Sequence, residues 1–177
     1  IHSTRYGTYL ALPMMLVLGI LGDPILRLWM GPRYEQGLVL PILAAGYFLP
    51  LTQRPVLAIL MGMNLHGRVG LVILGAALSG VGLGMTTIGI LEWNLVGAAL
   101  AVALPLTIGS GIFVPIYACR RLGIPLSEYL SRAFLAPIAC VIPFGLCIVA
   151  SRILFGDHPL AALAFAGAAG VLVLGPL

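Results

Sequence analysis

One arginine lies near the middle of an otherwise apolar stretch. It is Arg54, within Leu51-Thr52-Gln53-Arg54-Pro55. A guanidinium is permanently charged and forks onto phosphate or carboxylate in bidentate geometry. At the centre of a bilayer it costs about 2.5–3.5 kcal/mol on insertion scales, a cost that a polar cavity relieves. Pro50 and Pro55 flank it and lack the N–H groups that would serve the carbonyls of Gly46 and Leu51. The residue before a proline is also biased away from helical geometry. This spacing predicts a bent or unwound helix at Arg54, with Thr52 and Gln53 adding hydrogen-bonding capacity. Arg54, Gln53 and Thr52 are therefore the candidate substrate-binding residues, with Arg54 facing a central cavity and holding an anionic group. The alternative is that Arg54 snorkels to an interface or pairs with backbone carbonyls, and its near-central position argues against snorkelling.

Other chemistry-bearing residues are placed differently. Asp23, Glu35, Glu92, Glu128 and Asp157 all fall at the ends of apolar stretches or between them. No stretch carries an acid at its centre, where an exporter of cations needs a carboxylate. Cys140 and Cys147 are seven residues apart on one expected helix, about 10 Å by helical rise and too far to bridge. Together with Cys119 they read as small packing residues. No Cys/His cluster has metal-ligand spacing, so no metal and no cofactor is expected. No Ser-His-Asp order, P-loop or Gly-rich phosphate motif appears, and the expectation is a protein that is not an enzyme. His66 and His158 fall in loops. Thr86, Thr87, Thr107 and Ser110 can bond carbonyls of their own helices. Glu128 and Arg132 form an i,i+4 pair that supports a helix start, with Ser127 as its cap.

The elements that must position Arg54 follow from composition. Hydrophobic residues make up 61% of the chain, charged residues 8%, and mean hydropathy is +1.15. Soluble domains carry about 25% charged residues, so lipid rather than water must cover this surface. All nine basic residues are Arg. The net charge of +4 is scattered, which excludes a nucleic-acid footprint and fits loops facing anionic lipid headgroups. A spanning helix needs roughly 20 mainly apolar residues. Six stretches are expected to span, at 6–26, 38–61, 69–91, 95–118, 129–153 and 159–177. The chain begins at Ile1 and ends inside an apolar stretch, as expected of an internal or C-terminal piece of a longer transporter-sized protein. The fold class is thus all-α, a polytopic membrane protein in one transmembrane unit.

Short loops make consecutive helices antiparallel neighbours. Arg5, Arg68, Arg120, Arg121 and Arg132 fall on one side, and Arg27, Arg33 and Arg152 on the other. The richer side should be cytoplasmic, which places the N-terminal end inside. Trp29 and Trp93 then suit the outer headgroup belt, and Tyr117 and Tyr129 the inner one. Gly80 and Gly84 form a GxxxG pair, and 161–170 is almost all small residues, as close helix packing in lipid requires. Pro13, Pro50, Pro55, Pro105, Pro115, Pro137 and Pro143 recur within the spans. Neighbouring groups or a wet cavity must satisfy the carbonyls they free.

Several stretches resemble a known family. Ile25-Leu26-Arg27-Leu28-Trp29-Met30-Gly31-Pro32-Arg33-Tyr34 resembles the ILxLWxGxxY that closes one helix in bacterial polysaccharide flippases. These are lipid-linked oligosaccharide exporters of the MATE-like superfamily. Their LxILA opening and ILxGxGxxR ending appear as Leu40-Pro41-Ile42-Leu43-Ala44 and as Ile59 through Arg68. Leu95-Val96-Gly97-Ala98-Ala99-Leu100-Ala101 resembles GLVGAALA, and Val114 through Gly123 resembles LPLYxCRxLG. The resemblance covers roughly Tyr9 to Ala150. Asn94 departs from the family's usual Gly, and the Asn64–Arg68 loop is one residue longer than the common form.

The resemblance implies two helical lobes around a central cavity that opens alternately to each side. It implies helices nine to fourteen of a fourteen-helix protein in the bacterial inner membrane. The substrate it implies is a polyprenyl-diphosphate-linked oligosaccharide, carried for cell-surface polysaccharide such as lipopolysaccharide O-antigen. Other polysaccharide-assembly membrane proteins are possible partners alongside membrane lipids. Arg54 lies outside the matching motifs, so its role as the diphosphate ligand is inferred from physics. Two other readings stay open. One is a cation-coupled multidrug exporter of the same superfamily, against which the absence of mid-span acids argues. The other is a membrane-embedded transferase, for which Asp23, Glu92 and Asp157 have the right depth but no paired constellation.

Overall fold

The structure is a computed structural model and describes residues 2–31, 37–154 and 168. The sixth expected span at 159–177, the small-residue run at 161–170, and Arg33, Glu35, Asp157 and His158 lie outside the described residues. Among the described residues every regular element is helical, and the chain is an all-α polytopic membrane protein. Among the described residues four helical stretches are long and apolar enough to cross a membrane, or five when a bent pair is counted as one span.

That bent pair comes first. Helix α1 runs over His2–Ile20, and α2 over Gly22–Met30 leaves it at 72°. The expectation of one continuous helix over 6–26 is corrected here. The break falls at Leu21 because Pro24 has no N–H for the Ile20 carbonyl. The next span is α3, Val39–Thr52, followed by α4, Arg54–Gly62, with the interruption at Gln53. Helix α5 covers His66–Gly89 without a break, so His66 opens a helix rather than lying in a loop.

The remaining two spans each contain a π-helical stretch. Helix α6, Asn94–Leu106, passes through π-helical Thr107–Phe113 into α7, Val114–Leu122. Helix α8, Leu126–Leu130, passes through π-helical Ser131–Leu135 into α9, Ala136–Leu154. Both stretches end just before a proline, Pro115 or Pro137. Widening the turn lets a later N–H reach carbonyls that the proline leaves unserved.

Turn chemistry closes the helices. Gly123 ends α7 at φ 68°, and the Ile124 N–H bonds back to the Cys119 carbonyl at 3.0 Å. Asn94 adopts φ 46°, in the left-handed region that Asn tolerates. Ser127 makes no cap, since α8 starts at Leu126 after Pro125 and no side chain caps it. The Glu128–Arg132 pair does form at 2.9 Å between exposed side chains.

Close packing relies on small residues. Gly46 of α3 meets Ala103 of α6 so tightly that an added Cβ would stand 2.4 Å from the Ala103 Cβ. Gly80 of the GxxxG pair rests on the Ala101 carbonyl, where an added Cβ would lie at 2.9 Å. Pro105 is the residue that leaves this carbonyl without a helical donor. Two buried clusters complete the interior. Val56, Leu60, Val69, Val114 and Ala118 join α4, α5 and α7. Leu21, Val141, Phe144 and Ile148 join α1 to α9. Outward faces are apolar: on α5, Leu71, Leu78 and Met85 are 70%, 65% and 70% exposed. Water would not tolerate such an uninterrupted apolar row, which hydrocarbon accepts.

Candidate functional site

The interruption between α3 and α4 governs the site. Pro50 and Pro55 flank it, and Gln53 forms a single turn residue there, with φ −88° and ψ −1° in the right-handed helical region, so Val39–Gly62 stays one span rather than unwinding at Arg54. The Gly46 carbonyl that Pro50 cannot serve is taken across the interface by Thr107, whose Oγ1 lies 2.9 Å away. The same hydroxyl lies 2.8 Å from the Ala103 carbonyl of its own helix. Thr107 therefore ties α3 to α6 at the point of closest approach, beside Gly46 and Ala103.

Around the break, neighbouring side chains turn to opposite sides. Thr52 and Gln53 are 0% and 2% exposed. Thr52 Oγ1 donates to the Leu49 carbonyl at 2.8 Å, and Gln53 Nε2 donates to Thr52 Oγ1 at 3.3 Å. The Tyr129 hydroxyl donates to Gln53 Oε1 at 2.6 Å. Thr4 Oγ1 lies 3.3 Å from that hydroxyl. This buried chain of polar groups links α1, the α3–α4 break and α8. Tyr129, expected at the inner headgroup belt, is instead 4% exposed, because Gln53 draws its hydroxyl inward. Trp29 and Trp93 do stand exposed.

Arg54 faces the other way. It is exposed and lines a concavity of about 170 Å³ together with Tyr47, Pro50, Leu51, Gln53, Leu57 and Ser110. Among the described residues it has no hydrogen-bond or ion-pair partner. The structure thus brings Arg54 and Gln53 to one wall and leaves Thr52 behind it. Gln53 and Thr52 have polar atoms already bonded to the protein, so the guanidinium is the cationic donor at this wall, beside the hydroxyls of Tyr47 and Ser110. Among the described residues no carboxylate lines the concavity. A cation aimed into a recess with no acid beside it can accept an anion and would repel a second cation.

Two polar wall residues were not among the site residues read from the sequence. Tyr47 lies two helical turns before Arg54 on the same face, a spacing of seven that could have been read. Ser110 arrives from the π-helical stretch of the neighbouring span, and no local signal announces it. Thr86, Thr87 and Thr107 bond carbonyls of their own helices as expected. Thr87 also lies 3.2 Å from the Gly97 carbonyl across the α5–α6 turn. Among the described residues no three His, Cys, Asp or Glu side chains converge to hold a metal ion.

Neither a family model nor a solved structure matches the chain. Over 137 residues it is 30% identical to the uncharacterized membrane protein EpsK of Bacillus subtilis. The aligned region covers 77% of this chain and 27% of the Bacillus protein. The chain therefore spans about a quarter of that relative's length.

Proposed function

We propose that this chain forms part of a bacterial inner-membrane exporter that moves a polyprenyl-diphosphate-linked oligosaccharide across the bilayer, with Arg54 holding the diphosphate. The observation that carries the reading is the free guanidinium at the helix break, lining a recess without acids. A diphosphate offers paired oxygens to the guanidinium fork, and a permanent cation lowers the cost of bringing its charge into about 30 Å of hydrocarbon. The motif likeness to polysaccharide flippases supports the same substrate, and the likeness to a bacterial membrane protein supports the location. The chain acts by lowering a transfer barrier, with no covalent step and no cofactor. Other polysaccharide-assembly membrane proteins are its natural neighbours in this role.

The broken spans suit such a task. Pro50 and Pro55 remove two backbone donors around Gln53, which lowers the cost of tilting α4 against α3, and the Tyr129–Gln53 bond sets the resting position. The test is surface-polysaccharide export by the full-length protein carrying Arg54→Ala. Export should fall by roughly tenfold or more, with Arg54→Lys retaining part of it. Normal export by Arg54→Ala at normal protein abundance would remove Arg54 from the mechanism.

A further inference from the structure

A second concavity, of about 450 Å³, runs between α5 and α6. Its floor is made of small residues, among them Ala77, Gly80, Gly84 and Ala98, and among the described residues no charged side chain lines it. Along α5 it extends from Ile73 to Ile88, about 22 Å at helical rise. It also runs into the recess of Arg54, because Tyr47, Ile73, Leu106 and Ser110 line both. The combined surface is a long uncharged trough with one permanent cation at its end. The trough cannot simply close, because Gly80 already presses on the Ala101 carbonyl and so fixes the helix separation beneath it.

We infer that this trough seats the hydrocarbon tail of the lipid whose phosphate Arg54 holds. The inference rests on the reading of Arg54 given above. Charge complementarity selects the occupant, since an anionic head joined to a long apolar chain matches a cation joined to a long apolar trough. The volume falls in the range of ligand sites. In lipid, an apolar chain gains nothing from leaving water, so the tail is held through packing against the small-residue floor and through its tether to the head. The consequence is a matter of position: the tail of an anionic polyprenyl lipid should lie beside α5 and α6 rather than spread evenly around the protein.

The test uses the full-length protein in bilayer discs with a polyprenyl diphosphate carrying a photoreactive group mid-chain. A phosphocholine lipid with the same photoreactive tail is the control. After illumination, labelled peptides are mapped by mass spectrometry. The anionic lipid should label 73–88 and 98–106 about tenfold over the exposed face of α1 at Leu10 and Met14, and the control should label them evenly. Arg54→Ala should reduce the enrichment to the control level. Ala77→Trp, at an exposed position, should abolish it by filling the trough, and Val102→Trp should do the same from the facing helix. Even labelling by the anionic lipid would overturn the inference. If export still needs Arg54 in that case, the diphosphate reading stands and only the trough falls. Enrichment that survives Arg54→Ala would break the link between tail and cation, and so would also overturn the inference.

Discussion

Arg152 Nη1 donates to the carbonyl of Ile20 at 2.7 Å, across 132 residues of chain. Ile20 is the last residue of α1, and the donor its carbonyl would have met in a continuous helix is the missing N–H of Pro24. A side chain of α9 therefore completes the bend between α1 and α2. Tyr129 and Thr4 meet at the opposite ends of the same two spans. These contacts make α1 and the Leu126–Ile153 span parallel neighbours, tied at both ends.

Arg152→Ala should destabilise the folded protein by about 1 kcal/mol, because the bond is charge-assisted but exposed. In a Pro24→Ala background the backbone regains its own donor, and the same substitution should cost less than about 0.5 kcal/mol. Thermal unfolding of the four proteins in detergent measures the coupling. Equal losses in both backgrounds would separate Arg152 from the bend.

The packing at Gly46 gives a second prediction. An added Cβ there would stand 2.8 Å from the Ala103 Cα as well as against its Cβ, so backbone must move. Gly46→Ala should cost about 3 kcal/mol and stretch the Thr107–Gly46 bond. At Gly75 nothing lies within 4 Å of an added Cβ. Gly75→Ala should therefore fall within about 1 kcal/mol of the parent, on the stable side. Unfolding midpoints compare the pair directly, and similar losses at both positions would contradict the close α3–α6 approach.

These examples mark what the amino-acid sequence made legible. Prolines can be counted, and their orphaned carbonyls follow from covalent structure, so the interruption near Pro50 was readable, whereas the bend beside Pro24 was missed within the expected span 6–26. The donors that answer them were not. Thr107 reaches Gly46 from 61 residues away and Arg152 reaches Ile20 from 132. No periodicity encodes such pairings, because they depend on which helices lie side by side. The site shows the same division. Arg54 was visible as a cation in apolar surroundings, and Tyr47 shares its helix face. That Thr52 and Gln53 turn inward follows from Tyr129, a partner 76 residues distant from Gln53.

That partnership carries the third prediction. Tyr129→Phe leaves Gln53 Oε1 buried without its donor. Interhelical hydrogen bonds in membranes contribute about 0.6 kcal/mol on average and reach about 1.7 kcal/mol, and a short bond between fully buried groups belongs at the upper end. Tyr129→Phe should thus lower stability by about 1.5 kcal/mol, and Gln53→Leu in the same chain should recover most of it, since no orphaned acceptor remains. Export assays on these variants add a second readout. If the bond sets the resting position of the α3–α4 break, Tyr129→Phe will change the rate of export at equal protein abundance. A change in stability alone would assign the network to folding and not to the hinge.

The last prediction concerns water. The permanent charge of Arg54 calls for water or an anion around its guanidinium, since no protein partner neutralises it among the described residues. Position 54 should therefore admit water-borne reagents. In a full-length protein whose own cysteines are replaced by alanine, Arg54→Cys should react with a charged, membrane-impermeant thiol reagent. Leu78→Cys lies at mid-helix on the exposed face of α5 and should react slowly, because a thiol in hydrocarbon forms little thiolate and meets little reagent. A ratio of about ten or more is expected, since ionising a thiol in hydrocarbon is opposed by several kcal/mol. A polyprenyl diphosphate added beforehand should slow labelling at position 54 and leave position 78 unchanged. Equal, slow labelling at both positions would mean that the recess is filled with lipid, and an anion-handling role for Arg54 would then have no physical basis.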